Sequence, residues 1–462
     1  MFTKDRDFYK TFLRLAVTLM LEQAVILSVN LADNLMLGTY SEAALSGVAA
    51  VNQIQFVFQQ LVYAVNNAMI VLGSQYFGQK RMGEVKKLSA IGVRAELLIS
   101  LVLFCLVSFF PQQALHMFTD DAVIAAEGVK YLNIIRFSYV FFALTAVMLG
   151  TMRIAQSVKI ALKVSIVALV VNVTLNYLLI SGNFGFPEMG AEGAAVGTLV
   201  SRIVEFLLVL WYVFKKEKNL EIKPRDYAHL DRQLLKDYIK VGVPVFITAG
   251  LWGISNALQT VILGHLSANA IAAQSISSTF FLLLKVTSVG AASASSLIIG
   301  QTVGAGNMGK IKEYTKTLQF MYLGIGLVLA SIMFIARIPL LHIYEISDET
   351  RYLANAYMLI QSVVLFTMSY QMPVNTGIIR GGGDTRFTMI MDLISIWGIV
   401  VPVSLLAAFV WDLSPIIVII CLNADQCFKC IPACIRVNSY KWIKKLTRKA
   451  ENESETGSAA AK

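Results

Sequence analysis

The sequence predicts an all-α integral membrane protein, with twelve transmembrane helices in two six-helix bundles related by a pseudo-two-fold axis along the membrane normal. Three observations predict this: the hydropathy, the one-sided placement of Lys and Arg, and an internal repeat. Of the 462 residues, 56% are hydrophobic and 15% charged, whereas a soluble globule needs roughly a quarter charged residues to cover its surface. The solvent of this chain is therefore lipid. Apolar runs of about twenty residues recur along it, each long enough to cross a hydrocarbon core of about 30 Å as a helix.

In chain order, these runs predict helices over 12–38, 48–73, 90–110, 131–152, 163–182 and 193–214, making an N-terminal lobe over 1–214. A charged linker with Pro224 follows over 215–237. The C-terminal lobe, 238–440, has helices over 238–263, 272–300, 317–338, 354–379, 388–410 and 415–437, and a basic tail follows over 441–462. No stretch remains for a sizeable soluble domain.

The connections alternate in charge. One side receives Lys4, Arg6, Lys10 and Arg14, then Lys80, Arg81, Lys86 and Lys87, then Arg153, Lys159 and Lys163. The same side takes the Lys and Arg between Lys215 and Lys240, then Lys310, Lys312, Lys316, Arg380, Arg386 and the run from Arg436 to Lys449. The other side holds Lys130, Arg337 and Arg351 among acids such as Asp120, Asp121, Glu188, Glu192, Asp348 and Asp412. By the positive-inside rule both termini and the linker are expected in the cytoplasm, with the chain in the cell membrane. The net charge of +10 is thus a topological signal and not one for nucleic acid. No cleaved signal is expected, because the first helix is too long for a signal-peptide core. Residues 451–462 are polar and small, and are expected to be disordered and outside function.

A shift of 226 positions aligns the first and seventh helices without a gap. Asn30 meets Asn256, and Leu37-Gly38 meets Leu263-Gly264. Gln75, Gly78, Met82-Gly83 and Lys86 meet Gln301, Gly304, Met308-Gly309 and Lys312. Six crossings separate the two starts, so the halves share one orientation, and a central cavity is expected between them.

Several motifs carry a resemblance. Leu31-Ala-Asp-Asn-Leu-Met-Leu-Gly38, Gly73-x-Gln75-x-x-Gly78, Gly300-Gln301-x-x-Gly304, Gly193-Ala-Ala-x-x-Thr198 and Arg380-Gly-Gly-Gly-Asp-Thr-Arg386 together resemble the multidrug and toxic compound extrusion (MATE) family over residues 10–440. The overall look is closer to its DinF-like bacterial branch than to the eukaryotic one. The resemblance implies alternating-access export of small, mostly cationic amphiphiles in exchange for H⁺ or Na⁺, by a secondary active transporter with no cofactor beyond that ion. A monomer with small-molecule substrates is expected.

Intramembrane polar residues are the candidate sites, since an ionised Asp at mid-helix costs about 3 kcal/mol to insert. Asp33 leads, with Asn30 one turn before it and Asn34 beside it; the alternative is an interfacial residue near the helix end. Asn172 and Asn176 are spaced i, i+4 and share a face of the fifth helix, and the sixth offers Thr198. Two such Asn can also simply hydrogen-bond neighbouring helices. The resemblance implies that Asp33, Asn172, Asn176 and Thr198 form a cation-coupling site. Asn176 stands where many relatives have a second carboxylate, and the seventh and tenth helices lack the acids some relatives use for Na⁺.

The expected substrate cavity adds further residues. Glu22 pairs either with a cation there or with Gln59 or Gln60. Gln259 is the repeat partner of Asp33, and Asn256 that of Asn30. Lys285, mid-span in the eighth helix, is expected to pair with Glu22 or Asp33, or to select an anionic or zwitterionic substrate. Arg202 and Glu205, at i and i+3, suit an internal pair. Met36, Phe56, Met69, Phe280, Tyr370 and Met372 line a soft pocket or pack between helices. Thr18 aligns with Pro244, so a proline kink in the first helix is not available.

Other function classes lack their parts. No Walker pattern of Gly, four residues and Gly-Lys-Ser/Thr occurs, which excludes an ATP-driven pump. His116, His229, His265 and His342 lie in loops or at helix ends without metal-ligand spacing, so no enzyme is expected. Cys427, Cys430 and Cys434 have helical spacing but no further ligand nearby, and suit a helix face better than a metal site. A lipid-linked oligosaccharide flippase of the same superfamily is the alternative that Lys285 favours. A passive channel is a third class, which would need no internal acid.

Overall fold

In the computed structural model, residues 2–119, 121–228 and 230–448 are described. Asp120, His229 and the tail from Lys449 onward, which figure in the sequence reading, lie outside the described residues. The N-terminal half comprises α1 (Arg6–Tyr40), α2 (Glu42–Gly78), α3 (Met82–Phe109), α4 (Ala122–Ile135 and Ser138–Ile154, bent by 54°), α5 (Lys159–Leu179) and α6 (Ala191–Lys215). The C-terminal half comprises α7 (Arg232–Gly264), α8 (Ala268–Gly304), α9 (Met308–Ile343), α10 (Asp348–Ile379), α11 (Thr385–Val410) and α12 (Pro415–Asn438). With the bent pair taken as one span, twelve helices among the described residues are long and apolar enough to cross a membrane. The chain is a multi-pass membrane protein.

Several helices far exceed their apolar windows. α2 and α8 have 37 residues each, about 55 Å at 1.5 Å per residue, so they tilt or project from the bilayer. Their polar ends escape a hydropathy window but obey the repeat. α1 and α7 start at Arg6 and Arg232, α2 and α8 at Glu42 and Ala268, and α3 and α9 at Met82 and Met308. The caps match as well: Asp5 and Asp231, and Ser41 and Ser267, each accept from first-turn backbone N–H groups. Asp5 also accepts from the Tyr314 hydroxyl (2.8 Å) and from Lys310 of α9 (3.2 Å), and these partners hold its carboxyl below the usual carboxylate range.

The halves meet through α1 against α8 and through α2 against α7 and α8. Near the end that bears Phe2 and Arg448, the first and last described residues, called here the basic end, the contact is reciprocal. A Cβ on Gly78 would strike the Gln301 carbonyl oxygen, and one on Gly304 would strike that of Gln75. This is what a two-fold relation demands of repeat-equivalent residues. Only glycine lets the two backbones approach so closely.

Residues 440–448 then cross the basic end as a strap. Lys444 N donates to Gly382 O (2.9 Å), while the Gln75 side chain donates to Lys444 O (3.0 Å) and accepts from Leu446 N (2.8 Å). Trp442 is fully buried there. Asp384, in the Gly-rich loop, caps α11 and pairs with Arg436 and Lys444. That loop is a packing junction.

Among the described residues, hydrogen bonds between the halves lie at the basic end or at mid-depth, the latter including Tyr238 Oη to Val65 O (2.9 Å). The Phe56 and Trp252 rings still meet across the gap, 5.7 Å apart. The halves are joined at the basic end and part toward the other.

Candidate functional site

α5 and α6 pack closely because α6 opens on small residues. A Cβ on Gly193 would come within 2.6 Å of the Leu179 carbonyl, and one on Gly197 would occupy the place of Asn176 Oδ1. Gly197 therefore makes the room into which Asn176 turns. Asn172 and Asn176, one turn apart on α5, are 1% and 0% exposed. Asn176 Nδ2 donates to Asp33 Oδ1 on α1 and to Asn172 Oδ1 (3.3 Å). Asn172 Nδ2 donates to Thr198 Oγ1 on α6 (3.2 Å). The four residues thus form one connected chain drawn from three helices.

The direction of that chain follows from its acid. An ionised carboxylate only accepts, so Asn176 turns its amide nitrogen to Asp33. Its own Oδ1 is left buried and without a partner. Beside Asp33 lies a cavity of about 50 Å³, lined also by Asn30, Gln55, Gln59, Tyr131, Thr198 and Arg202. A water needs about 10–15 Å³ of such space, so the cavity admits a few waters or one small cation. Asp33 and Thr198 line the cavity, whereas Asn176 and Asn172 stand behind them, joined to it through their hydrogen bonds to those two side chains.

Other expectations change. Glu22 joins neither a cavity cation nor Gln59 or Gln60: it is 2% exposed and pairs with Arg153. Arg153 belongs to the last turn of α4 and turns inward, where its position in the sequence suggested a loop. Arg202 and Glu205 do pair (2.7 Å), but Arg202 also lies over Phe142 (5.1 Å) and faces the Asp33 cavity. Its neighbours in sequence gave no sign of that second role.

Lys285 pairs with neither Glu22 nor Asp33; its ammonium lies 5.9 Å from the Trp252 ring, a cation–π arrangement. Asn256 donates to Trp252 O (3.1 Å) and Gln259 to Ser255 Oγ (3.4 Å), both within α7. Met36, Phe280 and Met372 pack on the cores of their own halves, Met69 and Tyr370 lie in the core that the two halves share, and Phe56 meets Trp252 at the gap between them.

Three acids inside the expected spans had escaped notice. Glu96 on α3 is fully buried and accepts from Asn66 Nδ2 (3.1 Å). The seventh and tenth helices indeed lack Asp and Glu over 354–379 and 238–263, yet the C-terminal half is not acid-free. Asp392 on α11 and Asp425 on α12 flank Lys429. The i, i+4 spacing of Asp425 and Lys429 on α12 was the signal that would have found that pair.

Comparison with known proteins agrees with this architecture. The family model MatE matches residues 19–178 and 244–406. A relative from Thermotoga maritima described as "Probable multidrug resistance protein NorM" is 26% identical over 449 residues, covering 97% of this chain and 96% of that protein. Another, from Bacillus subtilis, "Probable multidrug resistance protein YoeA", is 24% identical over 369 residues, covering 78% of each. Among solved structures, an "Outward-facing conformation of a multidrug resistance MATE family transporter of the MOP superfamily" superposes with a TM-score of 0.81 at 18% identity, covering 95% of this chain and 99% of that one. A MATE crystal structure "in the bent conformation" reaches a TM-score of 0.83 at 16% identity, covering 93% and 96%.

Proposed function

The chain belongs to the MatE family, whose members are multidrug efflux transporters and not enzymes, and from that premise we propose that it exports small amphiphilic organic compounds, mostly cations, by alternating access in exchange for H⁺ or Na⁺. The observation that carries this reading is the Asp33 carboxylate, chained to Asn176, Asn172 and Thr198 beside a cation-sized cavity.

Ionised, Asp33 draws the donors of the chain toward itself. On protonation it gains a donor, so Asn176 turns its Oδ1 to the new O–H and the chain reverses its direction. A Na⁺ bound at the same place would instead recruit the free Asn176 Oδ1. Either load neutralises the carboxylate, and a cationic substrate arriving in the cleft favours its return to the charged form. Such exclusive occupancy couples the two fluxes. With the basic end cytoplasmic, as the positive-inside rule directs, the gap between the halves faces outward. The state described here is then the one that releases substrate and takes up the ion. The relative described as outward-facing supports that assignment.

The test is a flux assay in vesicles with each ion gradient imposed separately. One of the two gradients is expected to drive substrate uphill. Accumulation indifferent to both would overturn the reading.

Lys285 bears on substrate charge. No ion pair engages it among the described residues, and it is partly exposed beside Trp252. An anionic or zwitterionic group on a substrate would meet it there. Lys285→Gln is expected to lower transport of zwitterions relative to cations by about tenfold, the worth of roughly 1.4 kcal/mol. Competition assays with a matched pair of compounds measure this; an unchanged ratio would place Lys285 outside substrate selection.

A further inference from the structure

The basic end carries a cavity that the export machinery does not use. Three elements bound it: the start of α7, the first turn of α11 with the Gly-rich loop before it, and the strap. Its volume is about 340 Å³, and its charged lining is Asp237 and Lys240 of α7, Arg386 of α11, and Lys444 and Lys445 of the strap.

These charges do not cancel. Asp237, the acid of the lining, pairs with Arg448 (2.5 Å), and Lys444 pairs with Asp384. Lys240, Arg386 and Lys445 are exposed and have no ion pair among the described residues. Three cations without a counter-charge, each from a different element, therefore line one cavity. Their mutual repulsion disfavours the arrangement unless an anion sits among them. The last of the three is held in place from the opposite half. The Gln75 side chain binds the backbone on either side of Lys445, at Lys444 O (3.0 Å) and Leu446 N (2.8 Å), while the buried Trp442 packs on Gly382 of the Gly-rich loop.

Next to the cavity the surface turns apolar. Val243 and Ile247 follow Lys240 at i+3 and i+7 on one face of α7, and Ile390 and Leu393 follow Arg386 at i+4 and i+7 on one face of α11. All four are exposed, and the two helices pack side by side. Both faces thus run from a cation at the basic end to apolar side chains deeper in the span. A phospholipid presents its groups in the same order.

We infer that this cavity binds an anionic phospholipid of the leaflet at the basic end. The phosphate and headgroup lie among Lys240, Arg386 and Lys445, and the acyl chains run along the exposed faces of α7 and α11. Basic recesses between transmembrane helices hold headgroups of this kind. A zwitterionic headgroup would bring its own cation against the lysines, and inorganic phosphate would leave the apolar faces unused. The occupant is therefore a lipid of net negative charge, whichever ion drives export.

The test is native mass spectrometry of the full chain, released from micelles that hold equal amounts of phosphatidylglycerol and phosphatidylcholine. The wild type is expected to retain phosphatidylglycerol in preference by about tenfold or more, and Lys240→Gln/Arg386→Gln/Lys445→Gln to lose that preference. Lys159→Gln/Lys163→Gln/Lys215→Gln removes the same charge from exposed positions elsewhere at this end and is expected to keep it. If the cavity triple variant does not fold, Lys445→Gln alone is expected to reduce the preference by about fivefold. Equal retention of the two lipids by the wild type, a preference untouched by the cavity variants, or an equal loss in the control variant overturns the site. Displacement of the lipid by millimolar inorganic phosphate would also overturn it, marking the cavity as one for a free anion, whereas retention in phosphate supports the lipid.

Discussion

Asp33→Asn is expected to abolish uphill export while the protein remains folded and inserted. The replacement keeps the shape of the side chain and its contact with Asn176, but it cannot ionise. It offers an amide nitrogen to Asn176 Oδ1, the unpartnered atom of the wild-type site, and so holds the chain in the direction of the neutral state. One charge moved through 100 mV is worth about 2.3 kcal/mol, enough for roughly a fifty-fold gradient of a neutral substrate. Loss of that whole gradient is the predicted effect, with downhill exchange retained. Asn176→Asp is expected to add a second titratable group and shift the pH dependence of transport. Ion counterflow in vesicles measures both. Undiminished counterflow in Asp33→Asn would show that coupling resides elsewhere.

The second large effect is expected at the basic end. Gly78→Ala or Gly304→Ala places a methyl group against a backbone carbonyl of the opposite half, Gln301 or Gln75 respectively. Backbone yields less readily than a side chain, and overpacking of this kind costs about 1–3 kcal/mol. The cost falls only on the state in which the basic end is shut, so the population shifts toward an open basic end by about 5-fold to 150-fold. Spin labels at Lys80 and Lys310, both exposed and lining one cavity at this end, are expected to show a longer distance distribution. The double variant should add little to either single one, because the two contacts surround one pseudo-axis and part together. Unchanged distances in both single variants would mean that the close approach does not hold the gate.

Much of the candidate site was legible in advance. Asp33 stood out because lipid tolerates few acids, and Asn172 and Asn176 because one helical turn separates them. The resemblance supplied their grouping with Thr198. Lys285 was conspicuous for the same reason as Asp33, but its expected partners were wrong. The depth of a residue can be inferred from a window of neighbours, whereas its partner depends on the rotation of another helix about its axis. Asp392, Asp425 and Lys429 were overlooked although they lie within expected spans. Asp392 is a lone charge in an apolar run, whereas Asp425 and Lys429 stand one turn apart on α12, and only the docking of α11 on α12 brings the three together.

What the sequence by itself determined about this protein are the properties carried by local chemistry: twelve apolar crossings, their common polarity from the Lys and Arg of alternate connections, and the 226-residue repeat that recurs in the helix starts and caps. Each follows from neighbours in the chain meeting lipid or water. What only the tertiary structure decided are the pairings across long separations. Glu22 meets Arg153 from 131 residues away, and Asp33 meets Asn176 from 143. Gly78 lies against Gln301, and the strap at Lys444 against Gln75. A helix turns about 100° per residue, so small differences in rotation and docking choose among several candidate partners for every buried charge. The cost of leaving any of those charges unpaired in lipid selects one arrangement of the helices.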